Sequence, residues 1–344
     1  CILYPGIKST RMADKIRWGI LGCGRIARKF ASDLKYVDGA ELVAVGSRNK
    51  ATAEEFAREF PAKNCYGSYE ALASDKEVDV IYVASPHALH CEHTLLCLEQ
   101  KKAVLCEKAF AINLKQAKKM IAMAKQQNVF LMEALWTKFL PHYNIVQQML
   151  KENRLGKIKS MLVNFGFIPP ATAPHRLFDP VLGGGALLDI GIYNVFITLS
   201  VLGNPDTIEA TMTPASTGVD EQCSVVFKYN NGAIAQLFFT FSSNLATEAD
   251  INGDAGRIRL TTRFYEPSTT IEYYPERVDS RQIIPFTKEP GFGYQYEARH
   301  VSECLRKGIT ESPVMTHYDT LLLMEVLDNI RKIAGIHYDA DGEK

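Results

Sequence analysis

No Cys-x-x-Cys pair occurs among the eight cysteines (Cys1, Cys23, Cys65, Cys91, Cys97, Cys106, Cys223 and Cys304), most of which sit in apolar segments. That usage suits reduced, buried thiols and argues against a disulfide framework. Neither charge is in excess, since Lys+Arg and Asp+Glu number 39 each. A broad positive field that would attract nucleic acid or an anionic membrane is therefore not expected, and any bound anion must be held locally. No uncharged run reaches the roughly 20 residues needed to cross a bilayer, and the start lacks a signal-type apolar core with a cleavage site; the expectation is a cytoplasmic protein. Low-complexity tracts and repeats at solenoid or propeller spacing are also missing, which removes disordered and repeat architectures.

What is present is a chain of 344 residues, 47% hydrophobic and 23% charged, long enough for two globular domains. Residues 1–11, which precede Met12 and have no periodicity, read as a tag or upstream remnant. From Ile16 short apolar runs alternate with helical ones: IRWGILG, a helix through Leu34, ELVAVGS, a helix over Lys50 to Phe60, and a short helix near Tyr69 to Ala73. VDVIYVAS, a helix over His90 to Gln100, AVLCE, a helix over Leu114 to Gln127 and NVFLMEA continue the series. Continuous apolar strands between helices predict a doubly wound parallel sheet, a Rossmann domain over residues 12–136. Beyond it, IKSMLVNFGF, TIEATMTP, CSVVFKY and AIAQLFFTF read as strands. Asn230-Asn231-Gly232 makes a hairpin between the last two. With helices after Gly185, over Glu297 to Arg306 and over Asp319 to Ile333, residues 137–344 are expected to form an α+β domain on a large, open, mostly antiparallel sheet.

Directly after the first strand stands Gly22-Cys23-Gly24-Arg25-Ile26-Ala27, a G-x-G-x-x-A loop. Gly22 allows the tight turn and Gly24 lets a pyrophosphate approach the backbone. Ala27 permits close packing, leaving phosphate at a helix N-terminus. An ordinary glycine turn is the rival, but strand, loop and helix occur in the required order. About 20 residues on, where an NAD enzyme places an acid on the ribose hydroxyls, the sequence offers Ser47 and Arg48. A hydroxyl and a guanidinium suit a 2′-phosphate, so NADP is expected; if Arg48 is only a solvated charge, NAD remains possible.

Ligands of such sheets lie outside the carboxyl ends of the strands, which brings forward Ser85, Pro86, His87, His90, Glu107 and Lys108 as cofactor-facing residues. Lys108 follows a buried strand, so a role beyond a surface ion pair is expected of it. A glycine run, Gly183 to Gly185, opens a helix on which Asp189 and Tyr193, four apart, share a face. Helix anchoring by Asp189 and core packing by Tyr193 are the plain alternatives. His87, His90, Cys91 and His93 invite a zinc reading, but they come from one loop-helix junction with no second cluster, so no metal is expected. Trp136, Arg176 and Phe178 are candidate substrate-pocket residues, with packing or interdomain ion pairing as alternatives.

GCGRIA, YGSYEAL, VDVIYVASPHALH, AVLCEKA and GGGALLDIGIY together resemble the glucose-fructose oxidoreductase, inositol dehydrogenase and rhizopine-catabolism (Gfo/Idh/MocA) family, over Ile16 to about Ile336. LMEALWTKFLP, LLDIGIY and YEARHVSECLRKGITESPV look most like its dihydrodiol dehydrogenase and NADP-dependent xylose dehydrogenase branch. The resemblance implies hydride transfer between a C–OH of a sugar or trans-dihydrodiol and a nicotinamide, and a homodimer through the open sheet face. Where the family has Glu-Lys-Pro, this chain has Glu107-Lys108-Ala109. Where many members have His it has Tyr193, as that branch does. Tyr193 is then expected to act as acid/base, with Lys108 lowering its pKa and Asp189 orienting the helix, the phenol or a substrate hydroxyl. The alternatives are an NAD-dependent inositol or amino-sugar dehydrogenase and a non-catalytic NADP-sensing regulator.

Overall fold

A computed structural model describes residues 15–170, 175–276 and 280–342. The segment 1–11, read as a remnant, lies outside them. The first layer follows the apolar runs closely. β1 (Ile16–Leu21), α1 (Arg25–Leu34), β2 (Ala40–Gly46), α2 (Lys50–Glu59), β3 (Asn64–Tyr66), α3 (Tyr69–Ala73) and β4 (Val80–Val83) are succeeded by α4 (His90–Glu99), β5 (Ala103–Glu107), α5 (Leu114–Gln127) and β6 (Leu131–Ala134). The six strands are parallel in the order β3-β2-β1-β4-β5-β6. β4, β5 and β6 are buried at every position, as strands covered by helices on both faces must be. The two halves of the sheet diverge between β1 and β4, so the loops after those strands border a crevice where α/β sheets bind ligands.

The chain then passes through the short helical turn Trp136–Phe139 and α6 (Pro141–Lys151) to β7 (Ile158–Gly166). A π-helical turn, Leu187–Gly191, leads into α7 (Ile192–Leu202). β8 (Thr207–Pro214), β9 (Asp220–Lys228), β10 (Ile234–Thr240), β11 (Glu248–Gly253), β12 (Gly256–Thr261), β13 (Thr270–Pro275) and β14 (Gln282–Ile284) come next, and α8 (Tyr294–Arg306) and α9 (His317–Ala334) close the chain. The eight strands run β14-β13-β12-β11-β7-β10-β9-β8, antiparallel apart from the parallel pair β7 and β10. On one face Met161, Val163, Leu237, Phe239, Ile251 and Leu260 are buried under α7, while Leu162 and Ile234 on the other face are 43% and 44% exposed. The segment Pro180–Leu202 is apolar and long enough to span a bilayer, yet 72% of its apolar stretch is buried inside the protein.

α6 and β11 to β14 carry little sequence signal. β11 and β12 alternate, but their outward positions hold Glu248, Asp250, Arg257 and Arg259, which pair with one another across the strands. That leaves only two buried apolar side chains in each strand. α8 begins at Tyr294 rather than Glu297 because its cap is remote. Asp33 on α1 accepts the N–H groups of Phe292, Gly293 and Tyr294 at 2.8–2.9 Å. The same contact fastens α8 against the Rossmann layer, so the C-terminal helices return to pack on the first domain.

Candidate active site

Gly22, with φ +96°, turns the chain where a Cβ would meet the Ala84 carbonyl oxygen at 2.9 Å, so only glycine lets the β1 and β4 loops touch. Gly24 has nothing within 4 Å of the position a Cβ would occupy, and it caps α1 without a side-chain acceptor or an acid in the first turn. The first amides of α1, from Arg25 and Ile26 onward, are therefore free donors beside an open approach, the arrangement that takes phosphate. Ser85 Oγ is buried and has no partner. At the end of β2, Ser47 is anchored by its N–H to the Tyr66 carbonyl (3.1 Å), and Arg48 is exposed beside Tyr69. These residues fit a dinucleotide with an extra phosphate at the Ser47-Arg48 end.

His87 and His90 do not converge on a metal position. His87 Nδ1 lies 3.0 Å from the Gly183 carbonyl, drawing the glycine run against the Rossmann layer. His90 lies between the carbonyls of Ala109 (2.7 Å) and Ser85 (2.8 Å) and ties the two strand-end loops together. Burial pushes both rings toward the neutral form, His90 down to about 4, where its two carbonyl partners, which favour the doubly donating charged ring, oppose it. His93 faces Tyr69 edge-on at 4.6 Å. Among the described residues no cluster of metal-ligating side chains occurs.

At the end of β5 Lys108 crosses to the second domain. Its Nζ donates to the Asp189 carbonyl at 2.6 Å, stands 3.9 Å from Asp189 Oδ1 and lies 5.0 Å from the centre of the Tyr193 ring. Arg176 donates to Asp189 Oδ1 from both terminal nitrogens at 3.2 Å. Burial pushes the Lys108 ammonium below its ordinary value, opposed by Asp189 and Glu107. Burial would raise the Asp189 carboxyl, but Lys108 and Arg176 together hold it below the usual range. The Lys108–Ala109 peptide, where the family has proline, is cis. Tyr82 Oη donates to the Glu107 carboxylate, and burial pushes that carboxyl upward.

Tyr193 is buried, and Trp136 Nε1 donates to its oxygen at 3.0 Å. An indole N–H only donates, so this bond leaves the phenol proton for another acceptor. The expectation that Lys108 lowers the phenol pKa is not met. Burial among Phe165, Tyr265 and Trp136, reinforced by Glu107, pushes Tyr193 well above 10, while Lys108 gives its close contact to Asp189.

The model described as "Oxidoreductase family, NAD-binding Rossmann fold" matches residues 16–135, and the one described as "GFO/IDH/MocA C-terminal domain" matches residues 143–259. Trans-1,2-dihydrobenzene-1,2-diol dehydrogenase of Xenopus laevis is 38% identical over 94% of this chain and 99% of its own, and the Homo sapiens protein of that name is 34% identical over 95% and 99%. The chain belongs to the Gfo/Idh/MocA oxidoreductase family. A 3-ketoreductase from Actinomadura kijaniata, solved with NADP and TDP-benzene, superposes with a TM-score of 0.83 at 26% identity, covering 93% of this chain and 98% of that one. An aldose-aldose oxidoreductase from Caulobacter crescentus reaches a TM-score of 0.85 at 21% identity over 93% and 98%, a likeness of fold alone.

In this Gfo/Idh/MocA chain Lys108, Trp136, Arg176, Asp189 and Tyr193 are neighbours drawn from four segments of both domains. Phe178 lies apart, edge-on to Phe241 at 5.6 Å. Sequence reading missed Tyr265, 4.7 Å from the Tyr193 ring centre, and Tyr294, stacked on Trp136 at 4.5 Å. The only available signal for Tyr265 was an aromatic pair, Phe264-Tyr265, inside the polar turn between β12 and β13. Phe264 fills the core and its carbonyl accepts from His142 Nε2 at 2.9 Å, while the Tyr265 carbonyl accepts from Thr137 Oγ1 at 2.8 Å. Together these bonds present the Tyr265 ring to the site.

Proposed function

We propose that this oxidoreductase uses NADP to interconvert a C–OH group of a sugar or trans-dihydrodiol and the corresponding carbonyl, with Tyr193 exchanging the hydroxyl proton. The observation that carries the reading is the convergence of Lys108, Asp189 and Tyr193 from separate domains, with the Tyr265 ring against Tyr193. NADP, when bound, would supply or accept the hydride. Gly22, Gly24, Arg25 and Ile26 would hold its pyrophosphate, Ser47 and Arg48 its 2′-phosphate, and Ser85, Pro86 and His87 would border its nicotinamide end.

Tyr193 starts as a protonated phenol, since burial holds its proton, and its oxygen already accepts from Trp136. In the reductive direction it donates its proton to the oxyanion that develops as the carbonyl is reduced and regains one from solvent; in the oxidative direction it must first lose that proton to solvent, and the phenolate then receives the alcohol proton. Lys108, whose ammonium has three N–H groups and spends one on Asp189, adds a positive charge next to that oxygen. Asp189, fixed by Arg176, keeps Lys108 in place. Positioned acid/base groups of this type contribute about 10²- to 10⁴-fold. The exposed apolar residues of the eight-stranded sheet, Leu162 and Ile234, support a homodimer through that face, and the reduced cysteines a cytoplasmic setting.

The test measures NADP-dependent turnover of D-xylose and of trans-1,2-dihydrobenzene-1,2-diol at the NADPH absorbance band, with NADPH binding followed by fluorescence. Lys108→Met and Tyr193→Phe should keep cofactor binding and lose turnover. Near-normal turnover in both rejects the assignment. Tight cofactor binding by a wild-type chain inert toward every hydroxylated substrate tried would instead favour a sensing role.

A further inference from the structure

The turn that carries Asp189 and Tyr193 lacks a cap of its own. Leu187–Gly191 is π-helical, Ala186 before it is helical and follows a bend at Gly185, and no side chain of the segment accepts its first N–H groups. A helix start buried in this way needs an acceptor from elsewhere. Asp220, the first residue of β9 and 33 positions downstream, provides it. The side chain is fully buried, and its Oδ2 accepts the Leu187 N–H at 2.6 Å. Its other oxygen, Oδ1, has no hydrogen-bond partner and points at the backbone of Gly185. A Cβ on Gly185, which has φ +120°, would stand 2.2 Å from that oxygen and 3.0 Å from Tyr338 Oη. The third glycine of the run is thus required by the carboxylate packed on it. Tyr338 Oη donates to the neighbouring Gly184 carbonyl at 2.6 Å, holding the other side of the same turn.

From this arrangement we infer that Asp220 is a positioning residue: as a remote N-cap it sets the phase of the π-turn, and so the places of the Asp189 carbonyl and the Tyr193 phenol relative to Lys108. Leu187 is two residues before Asp189 and six before Tyr193, so a slip of the turn moves both groups together. The Asp189 carbonyl that receives Lys108 Nζ belongs to this turn and not to a regular α-helical ladder. Burial pushes the Asp220 carboxyl up to about 7 against the N–H bonds it accepts, so its capping acts through the accepting oxygen and not through a fixed charge. The inference rests on the proposed role of Tyr193 and Lys108, and concerns a residue that touches neither of them.

Asp220→Ala and Asp220→Asn test it, assayed with NADP and the substrate that the wild type turns over, next to Tyr193→Phe. Asp220→Ala should lower kcat about 30- to 100-fold, the scale of a displaced reacting group, with KM and NADPH affinity within about threefold. Asp220→Asn keeps an oxygen for the Leu187 N–H and should return most of the lost kcat. Independently of activity, hydrogen exchange in folded Asp220→Ala should quicken about tenfold or more at 187–193 and stay unchanged in β1 to β6. Wild-type kcat and exchange in Asp220→Ala overturn the inference. So does equal damage in both variants that extends to NADPH binding, because that marks a general structural role. An active Tyr193→Phe would overturn the proposed function, leaving the exchange result to decide on Asp220 as a cap.

Discussion

Replacing Trp136 with Phe isolates one hydrogen bond of the site. Trp136 is 5% exposed and stacks on Tyr294 with an interplanar angle of 5°, so a phenyl ring keeps the contact while the Nε1–H that reaches Tyr193 at 3.0 Å is deleted. The N–H bond matters most when the tyrosine oxygen bears negative charge. A hydrogen bond to a charged group contributes about 1.5–3 kcal/mol, which at 1.36 kcal/mol per pKa unit raises an already high phenol pKa by about one to two units. The phenol becomes a weaker acid for reduction, and the phenolate needed for oxidation becomes scarcer, so kcat should fall about 10- to 100-fold. Cofactor affinity should change little, since Trp136 is not among the residues proposed to hold the cofactor. Steady-state turnover against pH provides the check: the alkaline limb of kcat should move upward by the same one to two units. A variant with wild-type kcat and an unmoved limb would refute the claim that the indole N–H serves the phenol.

Arg48→Asp should invert cofactor preference, because it replaces donors beside Ser47 with a charge that repels a 2′-phosphate and accepts ribose hydroxyls. Relative NADP and NAD affinities from fluorescence titration should shift by about 100-fold or more, and an unchanged ratio would place phosphate recognition elsewhere. Asp33→Ala removes the acceptor of three N–H groups, two of them buried, and should destabilise the protein by about 3 kcal/mol, seen as a lower Tm by circular dichroism; an unaltered Tm would show that α8 needs no cap from α1. His142, brought down to about 4 by burial, has its Nδ1 sealed without a partner. It is neutral in the fold and charges in the unfolded chain below about 6.5. Its contribution is therefore complete above that value and is lost as pH falls from about 6.5 towards 4, up to about 3 kcal/mol. His142→Gln, which keeps a donor for Phe264, should flatten the difference between urea midpoints at pH 7 and pH 5; the same difference as in wild type refutes the assignment.

The parts of the site that were legible in the sequence are those specified by neighbours in the chain. Gly22, Gly24, Ser47, Arg48 and Lys108 each follow a strand whose apolar run announces it, and the ends of parallel strands meet by the topology of the sheet. Asp189 and Tyr193 were legible as a pair because a helical spacing joins them, although a π-turn intervenes between the glycines and α7. What could not be read is supplied across long separations. Tyr265 reaches Tyr193 from a hairpin whose strands are too polar to stand out, Asp33 caps a helix about 260 positions away, and Trp136 meets Tyr193 through 57 residues of intervening chain. The phenol pKa was misjudged for the same reason. The sequence shows the charge that would lower it, but the aromatic enclosure that raises it is assembled only by folding.

That enclosure also gives the charges of the pocket their meaning. Lys108 and Arg176 are two cations around one carboxylate, Asp189, with Glu107 the nearest further acid. Glu107 is pushed upward by burial and accepts from Tyr82, and its influence is felt both on Lys108, where it opposes the downward push of burial, and on Tyr193, which it raises. On the proposed reading, the surplus of positive charge that Lys108 and Arg176 hold over Asp189 would act on the substrate oxygen, more strongly in this low-dielectric setting than in water. The surplus favours a negative oxygen on the substrate, while the aromatic walls disfavour a negative oxygen on Tyr193. The two effects together bias the shared proton toward the tyrosine. On the proposed mechanism Lys108 would then act on the substrate oxygen and not on the phenol, a division of labour consistent with its hydrogen bond to the Asp189 carbonyl.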